Sequence, residues 1–225
     1  MKMVTAIATR GNDLVTDLVQ YLISITVKLG SNHTVMFSQS RYSAYDAQEN
    51  MFKKLTELEW DYVLLVDSDV GPTMESLGKM FTLDKDMVTA PIWYFNHKHN
   101  DLHMNIFDPD NGLDRAYNYH PQAIAEKVLS TSFGMVLIKR KVIDAFVERG
   151  EPFVRWSPVV PEKSKTAESD YQFFYKAREF GFELWVDWSI KDIYHHRFIN
   201  LGYETIERLA HCKGKFVYEK VEVKE

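Results

Sequence analysis

The chain has 225 residues, which fits one large domain or two small ones. A hydrophobic share of 45% and an aromatic share of 14% supply a core, and the net charge of −5 with a pI near 5.9 argues against a general nucleic-acid binder. The one cysteine, Cys212, cannot form an internal disulfide and suits a reducing compartment.

Taken in order, the first half alternates. Met3 to Ala8 reads as a strand. Asn12 or Asp13 caps a helix running to about Lys28, with Leu14, Leu18, Leu22 and Ile25 on one stripe. Gly30-Ser31-Asn32 stops it, and Thr34 to Ser38 reads as the next strand. Ala44 to Leu58 reads as a helix with Met51, Leu55 and Leu58 inward. Asp61 to Val66 is the most strand-like run of all. This spacing is the βαβ pattern of a parallel sheet.

The second half is less regular. Met74 to Phe81 predicts a short helix and Met87 to Trp93 a strand. Residues 94–127 are polar, aromatic and without clear period, which points to a functional or mobile segment. Val128 to Ile138 predicts a strand broken by Gly134, and Val142 to Arg149 a short helix. Residues 151–167 read as a loop. Ser169 to Phe180 predicts a helix ended by Gly181, and Phe182 to Val186 a strand. Glu204 to Glu225 alternates charges and reads as a peripheral tail. No repeat, low-complexity stretch or linker divides residues 1–203, so one domain is expected.

Asp67-Ser68-Asp69 ends the Asp61–Val66 strand. That run is continuously apolar, as suits a strand buried on both faces. Gly71-Pro72 then stops it. Residues two apart in an extended segment point the same way, so Asp67 and Asp69 are expected to face one point. In open α/β sheets the carboxyl ends of the strands are where ligands bind. Two carboxylates there suit a divalent cation, which in turn bridges a diphosphate. The triplet alone is common. Asp84-Lys85-Asp86 and Asp108-Pro109-Asp110 repeat it, but neither follows a buried strand.

Other residues fit around that point. Asp170 opens the Ser169–Phe180 helix. Acidic residues there complement the helix dipole, and a carboxylate at a helix mouth also serves as a general base. His195-His196-Arg197 follows the last strand; imidazole joins carboxylates in manganese- or zinc-type sites, and guanidinium meets phosphate. Arg10 and Arg41 follow the first two strands, where nucleotide contacts fall. Trp93, Tyr94, Phe95 and Trp156 flank the irregular segments and suit packing or stacking. His97, His99, His103 and His120 lack zinc-ligand spacing. There is no dinucleotide or P-loop fingerprint and no nucleophilic triad.

The order of these pieces resembles the GT-A glycosyltransferases, above all the family-2-like enzymes of bacteria and viruses. The resemblance rests on Asp61 to Asp69, on Ser132-Phe133-Gly134 through Lys139-Arg140, on Asp170 through Asp187, and on the following histidine. It covers roughly residues 3–200. It implies an α/β fold with a Rossmann-like mixed central sheet flanked by helices, and a UDP- or GDP-sugar as donor with Mn2+ or Mg2+ as cofactor. It implies that Asp69 ligates the metal, that Asp67 contacts the ribose or the metal shell, and that His195 or His196 completes the metal site. Asp170 becomes the base of an inverting transfer. Thr9, Arg10, Arg41 and Ser68 fall at the nucleotide, and Gly134 near the donor sugar and acceptor. One departure is visible: the usual Glu before the catalytic Asp is Ser169, with Glu168 one place earlier.

Two other functions compete. A nucleotidyltransferase uses similar sheets but ordinarily a Gly-rich basic loop after the first strand, and Thr9-Arg10-Gly11-Asn12 is a poor version of one. A catalytically silent carbohydrate-binding domain would not need Asp67, Asp69, Asp170 and the histidine pair together. A glycan, a protein or a modified nucleic acid are the acceptors considered. Lys2 and Arg10 bring charge too soon for a signal peptide, and no uninterrupted apolar run spans a bilayer. The expectation is a cytoplasmic protein, in the host cytoplasm if viral.

Overall fold

The structure is a computed structural model that describes residues 1–9, 14–40, 44–96, 101–107, 124–154 and 169–195. β1 (Met3–Thr9), α1 (Thr16–Leu29), β2 (His33–Gln39), α2 (Ala44–Thr56) and β3 (Tyr62–Asp67) alternate as the spacing predicts. β2 and β3 both pair in parallel with β1. The start of α1 differs from expectation. It begins at Thr16, after an extended Val15 with no side-chain cap, and not under Asn12 or Asp13. Val15 is held instead by its N–H, which donates to the Ser68 carbonyl at 3.2 Å. The stripe is as expected, with Leu18, Leu22 and Ile25 buried.

α2 ends earlier than expected, and Leu58 is exposed, not inward. The indole N–H of buried Trp60 donates to the Leu55 carbonyl at 2.8 Å, which takes a carbonyl that a longer helix would use. Met51, Phe52 and Leu55 still fill the core.

β4 (Val70–Gly71), α3 (Met74–Leu83) and β5 (Met87–Thr89) follow. The strand expected over Met87–Trp93 is two strands. β5 stops at Thr89, and β6 (Trp93–Asn96) forms a hairpin with β7 (Asp101–Met104). Part of the stretch expected to be irregular is therefore regular, as are β8 (Ile106–Phe107) and β9 (Ala125–Val128). Val128–Ile138 is likewise not one broken strand: β10 (Ser130–Thr131) pairs with β8, and Gly134 precedes β11 (Met135–Lys139). α4 (Arg140–Glu148), α5 (Ser169–Glu179), β12 (Leu184–Asp187) and β13 (Tyr194–His195) complete the described elements. Gly181, beyond α5, has φ 91°, the left-handed conformation expected of a residue that ends a helix. The tail at 204–225 lies outside the described residues.

The central sheet has seven strands in the order β2-β1-β3-β11-β5-β12-β9. β11 runs antiparallel to both neighbours, and β9 antiparallel to β12. The expected Rossmann-like mixed sheet flanked by helices has formed. Its strands feed two cores by simple alternation. Val63 and Leu65 pack with α2, α4 and α5, while Leu64 and Val66 pack with α1 and α3. Val136 and Ile138 of β11 face the first core, and Met135 and Leu137 the second. That two-sided burial is why β3 and β11 carry no polar residue until their ends.

Among the described residues no helix is long and apolar enough to cross a membrane.

Candidate active site

The site forms where β1 and β3 finish. Ala8 lies opposite Asp67 in the β1–β3 ladder, so Asp67 is the last residue of a central strand. Asp67 shares the strand parity of Val63 and Leu65. Its N–H donates to the Gly134 carbonyl at 3.1 Å, which ties the approach to β11 against the end of β3. Asp69 is not in the strand. It sits in the turn between β3 and β4, so strand alternation does not place it. The turn brings it to the same cleft as Asp67 all the same.

That turn is held on two sides. On one, α1 packs against it: a Cβ at Gly71 would lie 2.5 Å from the Asp17 Cβ, so only glycine permits this approach. On the other, β13 pairs antiparallel with β4, setting His195 opposite Val70 and Tyr194 opposite Gly71. This two-strand pairing delivers the His195 ring to Asp69, with Nε2 3.4 Å from Oδ2. His195 is largely enclosed and Asp69 is partly open to the cleft.

The opposite wall is the segment 132–134 and the mouth of α5. The Phe133 N–H donates to Asp170 Oδ2 at 3.4 Å. Aromatic packing fixes that contact. Phe133 meets Phe173 edge-on with centroids 5.5 Å apart and Phe174 at 5.5 Å; Phe173 stacks on Phe52 at 5.1 Å and on Phe146 at 4.8 Å. Phe173 and Phe174 lie one turn beyond Asp170, so the same cluster that buries α5 aims its first turn. Gly134 borders the gap itself. A Cβ there would meet Ile92 Cδ1 at 2.6 Å, Ser132 Oγ at 3.3 Å and Asp67 Oδ2 at 3.7 Å.

Together these residues enclose a cleft of about 280 Å3 lined by Asp67, Asp69, Val70, Ile92, Asn105, Ser132, Gly134, Asp170, Tyr171 and His195. Five of the sequence-predicted residues, Asp67, Asp69, Gly134, Asp170 and His195, meet there. Thr9 ends β1, accepting at its carbonyl from the Ser40 N–H at 3.4 Å, and neither it nor Ser68 lines the cleft. Arg10, Arg41 and His196 lie outside the described residues. Asn105 and Ser132 were not predicted. Asn105 lay in a segment without periodicity, and its only signal was a polar residue between two short apolar runs. Ser132 stood two places before a glycine already singled out.

Three carboxylates line the cleft, and among its lining residues there is no lysine or arginine. Among the described residues no three His, Cys, Asp or Glu side chains converge as a ready-made metal centre. Asp69 and His195 are the nearest to one, with Asp67 in the same cleft. Hard oxygens plus one imidazole fit manganese or magnesium that draws its remaining ligands from a bound phosphate or water.

No protein-family model matches the chain, and no curated protein matches it. Among solved structures it is similar to the A197 protein from STIV, at 15% identity and a TM-score of 0.54, over 88% of this chain and 86% of that one. It is also similar to TarS 1-349 of S. aureus, at 14% identity and a TM-score of 0.43, over 83% of this chain and 58% of that one. Against the same TarS fragment in complex with UDP the values are 15% and 0.43, over 83% and 57%. The chain thus spans a little over half of the TarS fragment. What the likeness to A197 shows is a shared fold.

Proposed function

We propose that this chain is a metal-dependent glycosyltransferase of the GT-A type, a single domain over residues 1–203, that moves a sugar from a UDP- or GDP-sugar to an acceptor hydroxyl with inversion. The observation that carries the proposal is the gathering of Asp67, Asp69, His195 and Asp170 around one cleft where parallel strands end. A nucleoside diphosphate carries several negative charges, and the cleft adds three carboxylates. Such a site needs countercharge to bind such a ligand. Manganese or magnesium held by Asp69, with His195 and Asp67, would supply it and stabilise the departing diphosphate.

The chain's own residues do the rest. Asp69, in the turn that leads into β4, and His195, on the strand that pairs with β4, define the diphosphate end. Asp170 defines the acceptor end, its carboxylate oriented by the Phe133 N–H. As the acceptor oxygen bonds to the anomeric carbon, the bond to the diphosphate breaks and the acceptor proton passes to Asp170. Gly134 leaves the space between the two ends that a side chain would fill.

A thermal-shift panel tests this against its rivals. UDP or GDP with manganese should raise the melting temperature more than either nucleotide with chelator. A larger response to nucleoside triphosphates than to nucleotide sugars would favour a nucleotidyltransferase, and silence to every nucleotide would favour a carbohydrate-binding domain.

A further inference from the structure

Asn105 is buried, and its orientation is fixed by its neighbours. The Ile92 N–H, which can only donate, points at Asn105 Oδ1 at 3.0 Å, while the Ile92 carbonyl accepts from the Asn105 N–H at 3.1 Å. The side-chain nitrogen is therefore the atom that faces Ser132, and Nδ2 donates to Ser132 Oγ at 2.9 Å. A second donor, the Gly134 N–H, reaches the same Oγ at 3.4 Å. A serine oxygen has two lone pairs and one proton. Both lone pairs are occupied by groups that can only donate, so the proton must leave in the remaining direction. Among the described residues no acceptor meets it, and Ser132 lines the cleft.

We propose that Ser132 donates a hydrogen bond to an oxygen of the transferred sugar, and that Asn105 is a positioning residue that keeps the Ser132 proton aimed into the cleft. The first half deepens the glycosyltransferase reading and rests on it. Ser132 is adjacent to Phe133, whose N–H holds Asp170, and Gly134 borders both Ser132 Oγ and Asp67 Oδ2. It therefore stands between the acceptor end and the carboxylates of the diphosphate end. In a transfer between those ends, the group in the middle is the sugar. A neutral donor suits a sugar hydroxyl or ring oxygen and supplies no net charge toward phosphate.

Asn105→Asp gives a direct test of the aiming. The carboxylate keeps one oxygen on the Ile92 N–H but presents an acceptor where Nδ2 was. Ser132 would then turn its proton toward residue 105, away from the cleft. Calorimetry with manganese would compare UDP with UDP-glucose and UDP-N-acetylglucosamine, and GDP with GDP-mannose. For whichever sugar adds affinity over its bare nucleotide in the wild type, Ser132→Ala and Asn105→Asp should each remove roughly three- to tenfold of that gain. Affinity for the bare nucleotide should stay the same. Thermal denaturation confirms folding, and if Asn105→Asp does not fold, Ser132→Ala decides alone. Retention of the sugar gain in Ser132→Ala overturns the proposal. So does an equal loss for bare nucleotide, which would put the bond on phosphate, or a folded Asn105→Asp that keeps the gain. A wild type that binds no nucleotide overturns the glycosyltransferase reading and the sugar assignment with it.

Discussion

Asp69 and Asp170 face the same cleft from different elements, and in the proposed transfer their work is separable. Asp170→Asn keeps the Phe133 contact geometry but cannot take a proton. It should leave metal-dependent nucleotide binding unchanged and cut transfer by roughly 10²–10⁴-fold, measured as nucleoside diphosphate release in the presence of acceptor. Near-normal transfer would remove the base assignment and make Glu168 the next candidate. His195→Ala should strongly impair metal-dependent turnover, because the His195 ring lines the cleft 3.4 Å from Asp69, and His196→Ala should be mild, because neighbouring side chains rarely enter one small site. Two mild phenotypes would take the pair out of the metal shell. At this scale the sequence was legible where polar residues interrupt a pattern: a carboxylate pair after an apolar run, a carboxylate at a helix start, a histidine beyond the Phe182–Val186 run. It was silent on Asn105 and Ser132, because an asparagine or serine earns its place by what it faces across the fold, and neither spacing nor period encodes that.

The elements hold the site through a few contacts of high consequence. Gly71→Ala would drive a methyl to 2.5 Å from the Asp17 Cβ of α1, the first atom of that side chain and not a flexible tip that can yield. Overpacking of this kind costs about 1–3 kcal/mol, and here it should also shift the 68–71 turn, weakening metal-dependent nucleotide binding along with the melting temperature. Phe173→Ala removes the ring that joins Phe52, Phe133 and Phe146, and should cost about 3–5 kcal/mol in denaturant unfolding. A third contact responds to pH. His33 of β2 lies between the Thr5 hydroxyl of β1 and the Thr26 hydroxyl of α1, each at 2.9 Å, and burial pushes its pKa below the ordinary histidine value. The unfolded chain therefore binds a proton at a higher pH than the folded chain does. Its contribution is complete above about pH 6.5 and declines as pH falls below that, by at most about 1.4 kcal/mol per pH unit. Melting curves from about pH 5 to about pH 8 should show this fall in the wild type and a shallower one in His33→Gln; parallel curves would contradict it. The first three strands and their helices were legible because a strand buried on both faces has a continuous apolar signature and an amphipathic helix a periodic one. The short strands β4, β6 to β10 and β13 were not. Pieces of two to four residues carry no period, and their partners are distant in sequence.

Over the whole molecule, the mixed sheet supplies five parallel strands whose ends converge on one side, and the antiparallel β11 brings Gly134 back beside Asp67. The chain is acidic, and so is its cleft. An anionic donor has no lysine or arginine to meet among the lining residues, so the proposed activity depends on a divalent cation that provides the missing charge. Calorimetric titration of UDP and GDP into the wild-type chain, with manganese and then with chelator, measures that directly. Tighter binding of at least one nucleotide with manganese, and loss of that gain in Asp69→Asn at an unchanged melting temperature, is the predicted result. Equal affinity in manganese and in chelator would contradict it.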